Sequence, residues 1–207
     1  MPHDLLNQQD ELQKEAQGVL EDLDLMNLLK EFGEPHIVGS LALGVMTWRD
    51  IDLEIVVGKL DKEVVAEVIK QLVVKTIYKI DVTFSDNIAR FNNSNPNSPQ
   101  SLYIGLKYFG KDITPIEMRG SNPLTWKLDL HFILEKDARG KAKTEELKNK
   151  ITDDKRRIIL EIKSQIASNP KYRKQIFSMD IYQAVLERGI TNLEEFGKFL
   201  AETGREL

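Results

Sequence analysis

The chain has 207 residues, 41% of them apolar and 30% charged with both signs mixed, which excludes a disordered tail and suits one compact domain with a second small lobe. Its zero cysteines exclude disulfides and thiolate metal sites and fit a reducing compartment. The first nine residues lack a basic stretch before an apolar run, and no stretch nears about eighteen apolar residues, so a cytoplasmic protein with no membrane span is expected.

In chain order, residues 9–32 place Leu12, Ala16, Val19, Leu20, Leu23, Met26, Leu28, Leu29 and Phe32 mostly at helical spacing, with Gly33 as a C-terminal cap. This amphipathic helix should lead into a first strand at residues 36–38. Residues 50–57, Asp-Ile-Asp-Leu-Glu-Ile-Val-Val, alternate as a strand. A helix over residues 61–71 and strands over 76–84 and 102–109 follow, the strands rich in β-branched and aromatic residues. Residues 92–99 are dense in turn formers and read as a surface loop. A short strand at 113–118 and a turn at 120–123 precede a strand at 126–134. Past Gly140 the pattern becomes helical: one long helix over 143–168 ended by Asn169-Pro170, another from Ser178 to Gly189, and a last one opened by the capping-box sequence Thr191-Asn192-Leu193-Glu194. The expectation is an α+β fold: a mixed-sheet catalytic lobe over residues 1–140, including the N-terminal helix, then a helical lobe over 141–207, with a cleft between them.

Chemistry concentrates around residues 38–54. Successive strand side chains point to opposite faces, so Asp50, Asp52 and Glu54 share one face while Ile51, Leu53 and Ile55 share the other. Two neighbouring same-face aspartates repel one another, and a divalent cation is the natural way to keep both ionised. Magnesium suits them, because it prefers carboxylate and phosphate oxygens and commonly bridges the two. Upstream, Gly39 lets backbone approach a phosphate closely, and Ser40 opens a segment whose N–H groups attract anions. Glu54, one step further along, is expected to meet solvent or a salt-bridge partner. A third carboxylate has three contenders, Asp81, Glu117 and Asp129, and strand alternation does not choose among them.

Gly39-Ser40 followed by Asp50-Ile51-Asp52-Leu53 resembles the signature of the DNA polymerase beta-like nucleotidyltransferase superfamily: a hydrophobic residue, Gly, Gly or Ser, a spacer, then two carboxylates separated by one apolar residue. Residues 126–134, Trp-Lys-Leu-Asp-Leu-His-Phe-Ile-Leu, are similar to the third-carboxylate strand of its lincosamide-type small-molecule branch. The resemblance spans residues 36–134 and implies that Asp50, Asp52 and Asp129 are the catalytic metal ligands. It also implies a nucleotidyltransferase architecture holding two Mg2+ ions and ATP or another NTP. One departure is Leu43, where many minimal members of the family carry an Arg.

Further residues carry two readings each. Arg49 could reach a phosphate or pair with a neighbouring carboxylate. His131 could touch acceptor or phosphate, or be a hydrogen-bonded strand histidine. Lys155-Arg156-Arg157 could supply the cation absent at Leu43 or form a solvated helix face, and Trp48 and Trp126 could stack a base or sugar or simply pack. Residues 1–140 hold 15 Lys+Arg against 22 Asp+Glu, and residues 141–207 hold 14 against 11. An acidic catalytic half repels long nucleic acid and favours a small acceptor. The expected function is therefore magnesium-dependent transfer of a nucleoside monophosphate to a hydroxyl of a small molecule, with antibiotics suggested by the resemblance. Transfer to protein or RNA, and nucleotide binding without turnover, are the alternatives. No residue pattern indicates an oligomer.

Overall fold

A computed structural model describes residues 2–75, 79–88, 100–110 and 125–207. Among the described residues five strands form one mixed sheet: β1 (Glu34–Val38), β2 (Asp50–Val57), β3 (Lys79–Asp86), β4 (Ser101–Gly110) and β5 (Trp126–Leu134), in the order β1-β2-β5-β4-β3. The β2–β5 pair is parallel and the other three pairs are antiparallel. Alternation drives the arrangement. Ile51, Leu53, Ile55, Leu128, Leu130, Phe132, Leu102, Ile104 and Leu106 are all at most 1% exposed, while the opposite face carries the polar positions between them. An α+β class is thus observed, and β5 has the bounds expected from sequence.

The helices are α1 (Pro2–Asp22), α2 (Leu25–Lys30), α3 (Gly39–Leu43), α4 (Lys62–Lys75), α5 (Arg139–Lys148), α6 (Asp153–Ile166), α7 (Ser178–Glu187) and α8 (Leu193–Glu202). Two expected single helices are each divided. The N-terminal one breaks at Asp24, whose φ of 46° is left-handed. The apolar spacing runs across that break, so periodicity does not reveal it. The expected 143–168 helix also splits, because Thr152 starts a new one: its hydroxyl accepts the Lys155 N–H (3.4 Å), with Asp153 and Asp154 in the first turn. The capping box before α8 is shifted by one residue. Asn192 caps it, its side chain accepting the Glu195 N–H (2.9 Å), and Glu195 reaches back to the Thr191 N–H (2.8 Å). Gly33 is not a left-handed cap. A Cβ there would meet the Val56 carbonyl at 2.5 Å, so glycine is required for close approach to β2. The loop expected at 92–99, the strand at 113–118 and the turn at 120–123 lie outside the described residues.

Two compact units emerge. The helical unit comprises Met1–Gln13, Leu43–Trp48 and Glu145–Leu207. Its core joins Val45, Ile159, Leu160, Ile181, Val185, Phe196 and Leu200, and the Lys163 ammonium, fully buried, donates to the Val45 carbonyl (2.6 Å) and sits 4.7 Å from the centre of the Trp48 ring. The sheet unit comprises Lys14–Ala42 and Arg49–Thr144. Counted over these units the charge asymmetry vanishes: 12 Lys+Arg against 14 Asp+Glu in the helical unit, 17 against 19 in the sheet unit, hence −2 each. The imbalance between residues 1–140 and 141–207 came from cutting the chain where the fold does not, so it carries no argument against a nucleic-acid acceptor. No helix among the described residues is long and apolar enough to cross a membrane.

Candidate active site

Register brings the polar face together. On β2 and β5, Asp50 is opposite Lys127, Asp52 opposite Asp129, and Glu54 opposite His131. On β4, Lys107 is opposite Lys127, Gly105 opposite Asp129, and Tyr103 opposite His131. Asp52 and Asp129 are therefore direct cross-strand neighbours. Asp50, Asp52 and Asp129 each offer a carboxylate oxygen, and these oxygens all lie within 4.8 Å of one another. The buried, alternating Ile51 and Leu53 fix the direction of the two aspartates on β2.

A cation already lodges there. The Lys127 ammonium bonds Asp129 Oδ2 and lies 3.7 Å from Asp50 Oδ1. Burial works against that ammonium, but the hydrogen bond to Asp129 and the charges of Asp50, Asp129 and Asp52 outweigh it and hold its pKa above the ordinary lysine value. The donor set fits magnesium. It is all carboxylate, and two oxygens bound to one Mg2+ at about 2.1 Å lie at most about 4.2 Å apart, a spacing that small side-chain rotations reach from here.

Gly39, at the junction of β1 and α3, has φ +66°, and a Cβ there would meet Asp52 Oδ2 at 2.6 Å. The Gly39-Ser40 turn is thus pressed against the second aspartate, and Ser40 is 8% exposed. Glu54 leaves this cluster. Its carboxylate accepts the Gly140 N–H (2.9 Å) and the Lys141 N–H (3.1 Å), capping the positive end of α5, so it meets neither solvent alone nor a simple salt bridge. Gly140 is required for that approach, since its Cβ would lie 2.4 Å from Glu54 Oε1.

The remaining candidates divide. His131 packs against the Tyr103 ring (5.0 Å between centres), and burial pulls its pKa below the ordinary imidazole value, against Asp129 and with help from Lys127. Arg49 makes a two-pronged pair with Glu15 of α1, Nε to Oε2 at 2.8 Å and Nη2 to Oε1 at 2.9 Å. Asp81 lies on β3, separated from β5 by β4, and faces Lys107 at 3.9 Å. Glu117 is outside the described residues. Trp126 is buried at 3% exposure, and Trp48 packs edge-on against Tyr172 (5.6 Å) with the Arg173 guanidinium 3.9 Å from its ring centre. Within the helical unit the Arg156 guanidinium lies against Gly44, 3.7 Å from where a Cβ would stand, and 3.6 Å from Asp153.

Two residues of the site escape sequence reasoning. Lys127 could have been found, since it stands two positions before Asp129 and so on the same face. Tyr103 donates its hydroxyl to Asp129 Oδ1 (2.6 Å). Its only signal is the Tyr-x-Gly spacing on a strand.

No protein-family model matches the chain, and no curated protein does. Solved structures do. Cid1 poly(U) polymerase with Mg 3'-dATP bound matches with a TM-score of 0.58 at 18% identity, over 86% of this chain and 49% of that one. The chain has a nucleotidyltransferase fold. A second Cid1 poly(U) polymerase crystal structure gives a TM-score of 0.57 at 16% identity, over 91% of this chain and 55% of that one. A cytoplasmic RNA terminal U-transferase gives 0.54 at 15%, over 88% and 51%. The chain spans about half the length of these structures. Likeness at such identities establishes the nucleotidyltransferase fold alone.

Proposed function

We propose that the protein transfers a nucleoside monophosphate from an NTP to an acceptor hydroxyl, using Asp50, Asp52 and Asp129 to hold two magnesium ions. The observation that carries this is the convergence of those three carboxylates on neighbouring strands of this fold. Bound there, magnesium would neutralise the phosphate charge and make the acceptor hydroxyl more acidic. The acceptor oxygen forms a bond to the α-phosphorus as the bond to the β-phosphate bridging oxygen breaks, releasing pyrophosphate. Asp129 takes the acceptor proton as the bond to phosphorus forms. The Gly39-Ser40 turn holds the nucleotide phosphates beside Asp52, and His131, neutral and two residues beyond Asp129, faces the acceptor. Arg49 is assigned no phosphate, because contact would break its two-pronged pair with Glu15.

For the acceptor, the terminal hydroxyl of RNA is the first reading. The solved structures that share the fold are named as a poly(U) polymerase and an RNA terminal U-transferase, and the two units are equally and weakly charged, so neither strongly repels RNA. A small-molecule hydroxyl is the second, supported by the Asp129-Leu130-His131 strand. Incubation with each of four labelled NTPs, Mg2+, and separate pools of RNA with a free 3' hydroxyl, aminoglycosides, lincosamides and cell protein distinguishes them. Label at RNA 3' ends is the expected result. Label on a small molecule or on protein would replace the acceptor. No label in any pool, with an NTP raising the melting temperature, would reduce the function to nucleotide binding.

A further inference from the structure

Asp129 is held from both sides. Its Oδ1 accepts the Tyr103 hydroxyl at 2.6 Å, and its Oδ2 shares the Lys127 ammonium with Asp50 Oδ1. Tyr103 is not directly opposite Asp129. That position on β4 is Gly105, and Tyr103 is opposite His131. A tyrosine standing straight off the sheet would miss Asp129, so its ring leans along β4 and lies over Gly105. A Cβ on Gly105 would meet the Tyr103 hydroxyl at 2.6 Å and Cζ at 3.1 Å. Gly105 has an ordinary negative φ, so the glycine serves the close approach of the ring and no backbone requirement. The His131 ring packs against the Tyr103 ring, 5.0 Å between centres and tilted by 41°.

The hydroxyl stays a donor. An ionised carboxylate only accepts, so in the 2.6 Å contact the phenol hydroxyl donates to Asp129 Oδ1. A protonated phenol on one oxygen of a carboxylate fixes its rotation and leaves the other oxygen to face Asp50, as outer hydrogen-bond partners do for metal ligands generally.

We propose that Tyr103 is a positioning residue for the divalent-cation site: leaning across Gly105, it locks Asp129 Oδ1 and turns Oδ2 toward Asp50 and Asp52, which sets the affinity for the ion. This rests on the three-carboxylate reading of the site. The test is Mn2+ titration of the intact chain without nucleotide, following free Mn2+ by electron paramagnetic resonance, for wild type, Tyr103→Phe, Gly105→Ala and the double variant. Tyr103→Phe keeps the ring on His131 and removes only the hydroxyl. It should weaken Mn2+ binding by about tenfold to a hundredfold with the melting temperature in EDTA unchanged, the size seen when such outer partners are lost. Gly105→Ala should weaken it similarly by displacing the hydroxyl, and the double variant should be no weaker than Tyr103→Phe, because both changes remove one contact.

Wild-type affinity in Tyr103→Phe overturns the proposal, as does a double variant whose losses add. If Gly105→Ala does not fold, Tyr103→Phe decides alone. If wild type itself binds no Mn2+, the carboxylate site fails and this inference with it, whereas wild-type binding that Tyr103→Phe leaves intact refutes only the role of Tyr103.

Discussion

Asp52→Asn should abolish nucleotidyl transfer while leaving the fold intact. The amide keeps the shape of the side chain and the neighbouring Ile51 and Leu53 stay buried, so β2 keeps its register with β5. The lost negative charge is the one directly opposite Asp129. Metal electrophiles contribute several kcal/mol of transition-state stabilisation, and about 4 kcal/mol corresponds to about a thousandfold in kcat. The melting temperature in EDTA should not fall, because the substitution relieves repulsion among three clustered carboxylates. Steady-state transfer and a thermal melt on one preparation check both halves. Transfer within tenfold of wild type would remove Asp52 from the machinery.

Gly39→Ala should damage stability and activity together. With φ at +66°, an L side chain costs about 1–2 kcal/mol, and the new Cβ would meet Asp52 Oδ2 at 2.6 Å, so the carboxylate must move. A displacement of about 1 Å in a reacting constellation costs on the order of a hundredfold in rate. The expected pattern is a lowered melting temperature with roughly a hundredfold slower transfer, in contrast to Asp52→Asn, which spares stability. Equal activity in Gly39→Ala would mean that the turn does not set the position of Asp52.

Strand alternation puts Asp50 and Asp52 on one face, whereas the choice of Asp129 over Asp81 and Glu117 rests on the resemblance of residues 126–134. Asp50, Asp52 and Asp129 each alternate with fully buried apolar residues, and that periodicity survives into the structure. Register is another matter. That Asp52 pairs with Asp129, and that β4 stands between Asp81 and β5, depends on strand order, which no local pattern encodes. Glu54 looked like a surplus carboxylate on the metal-facing side because its partners, the Gly140 and Lys141 amides, are 86 and 87 residues away. The helix breaks at Asp24 and Thr152 were hidden because apolar spacing continues through them, although Thr152-Asp153-Asp154 carried a capping signal of its own. The acidity of the first 140 residues is not a property of the sheet unit, because Asp4, Asp10 and Glu11 belong to the helical unit while Lys141 and Lys143 belong to the sheet unit.

Crystals grown with Mn2+ and a non-hydrolysable NTP analogue test the three-carboxylate site most directly, because anomalous scattering locates the ion independently of any assumption about it. Anomalous peaks at coordination distance from oxygens of Asp50, Asp52 and Asp129, with the Lys127 ammonium displaced from Asp129 Oδ2, are the predicted result. A map with no peak there, and Lys127 still bridging Asp129 and Asp50 in the presence of nucleotide, would contradict it.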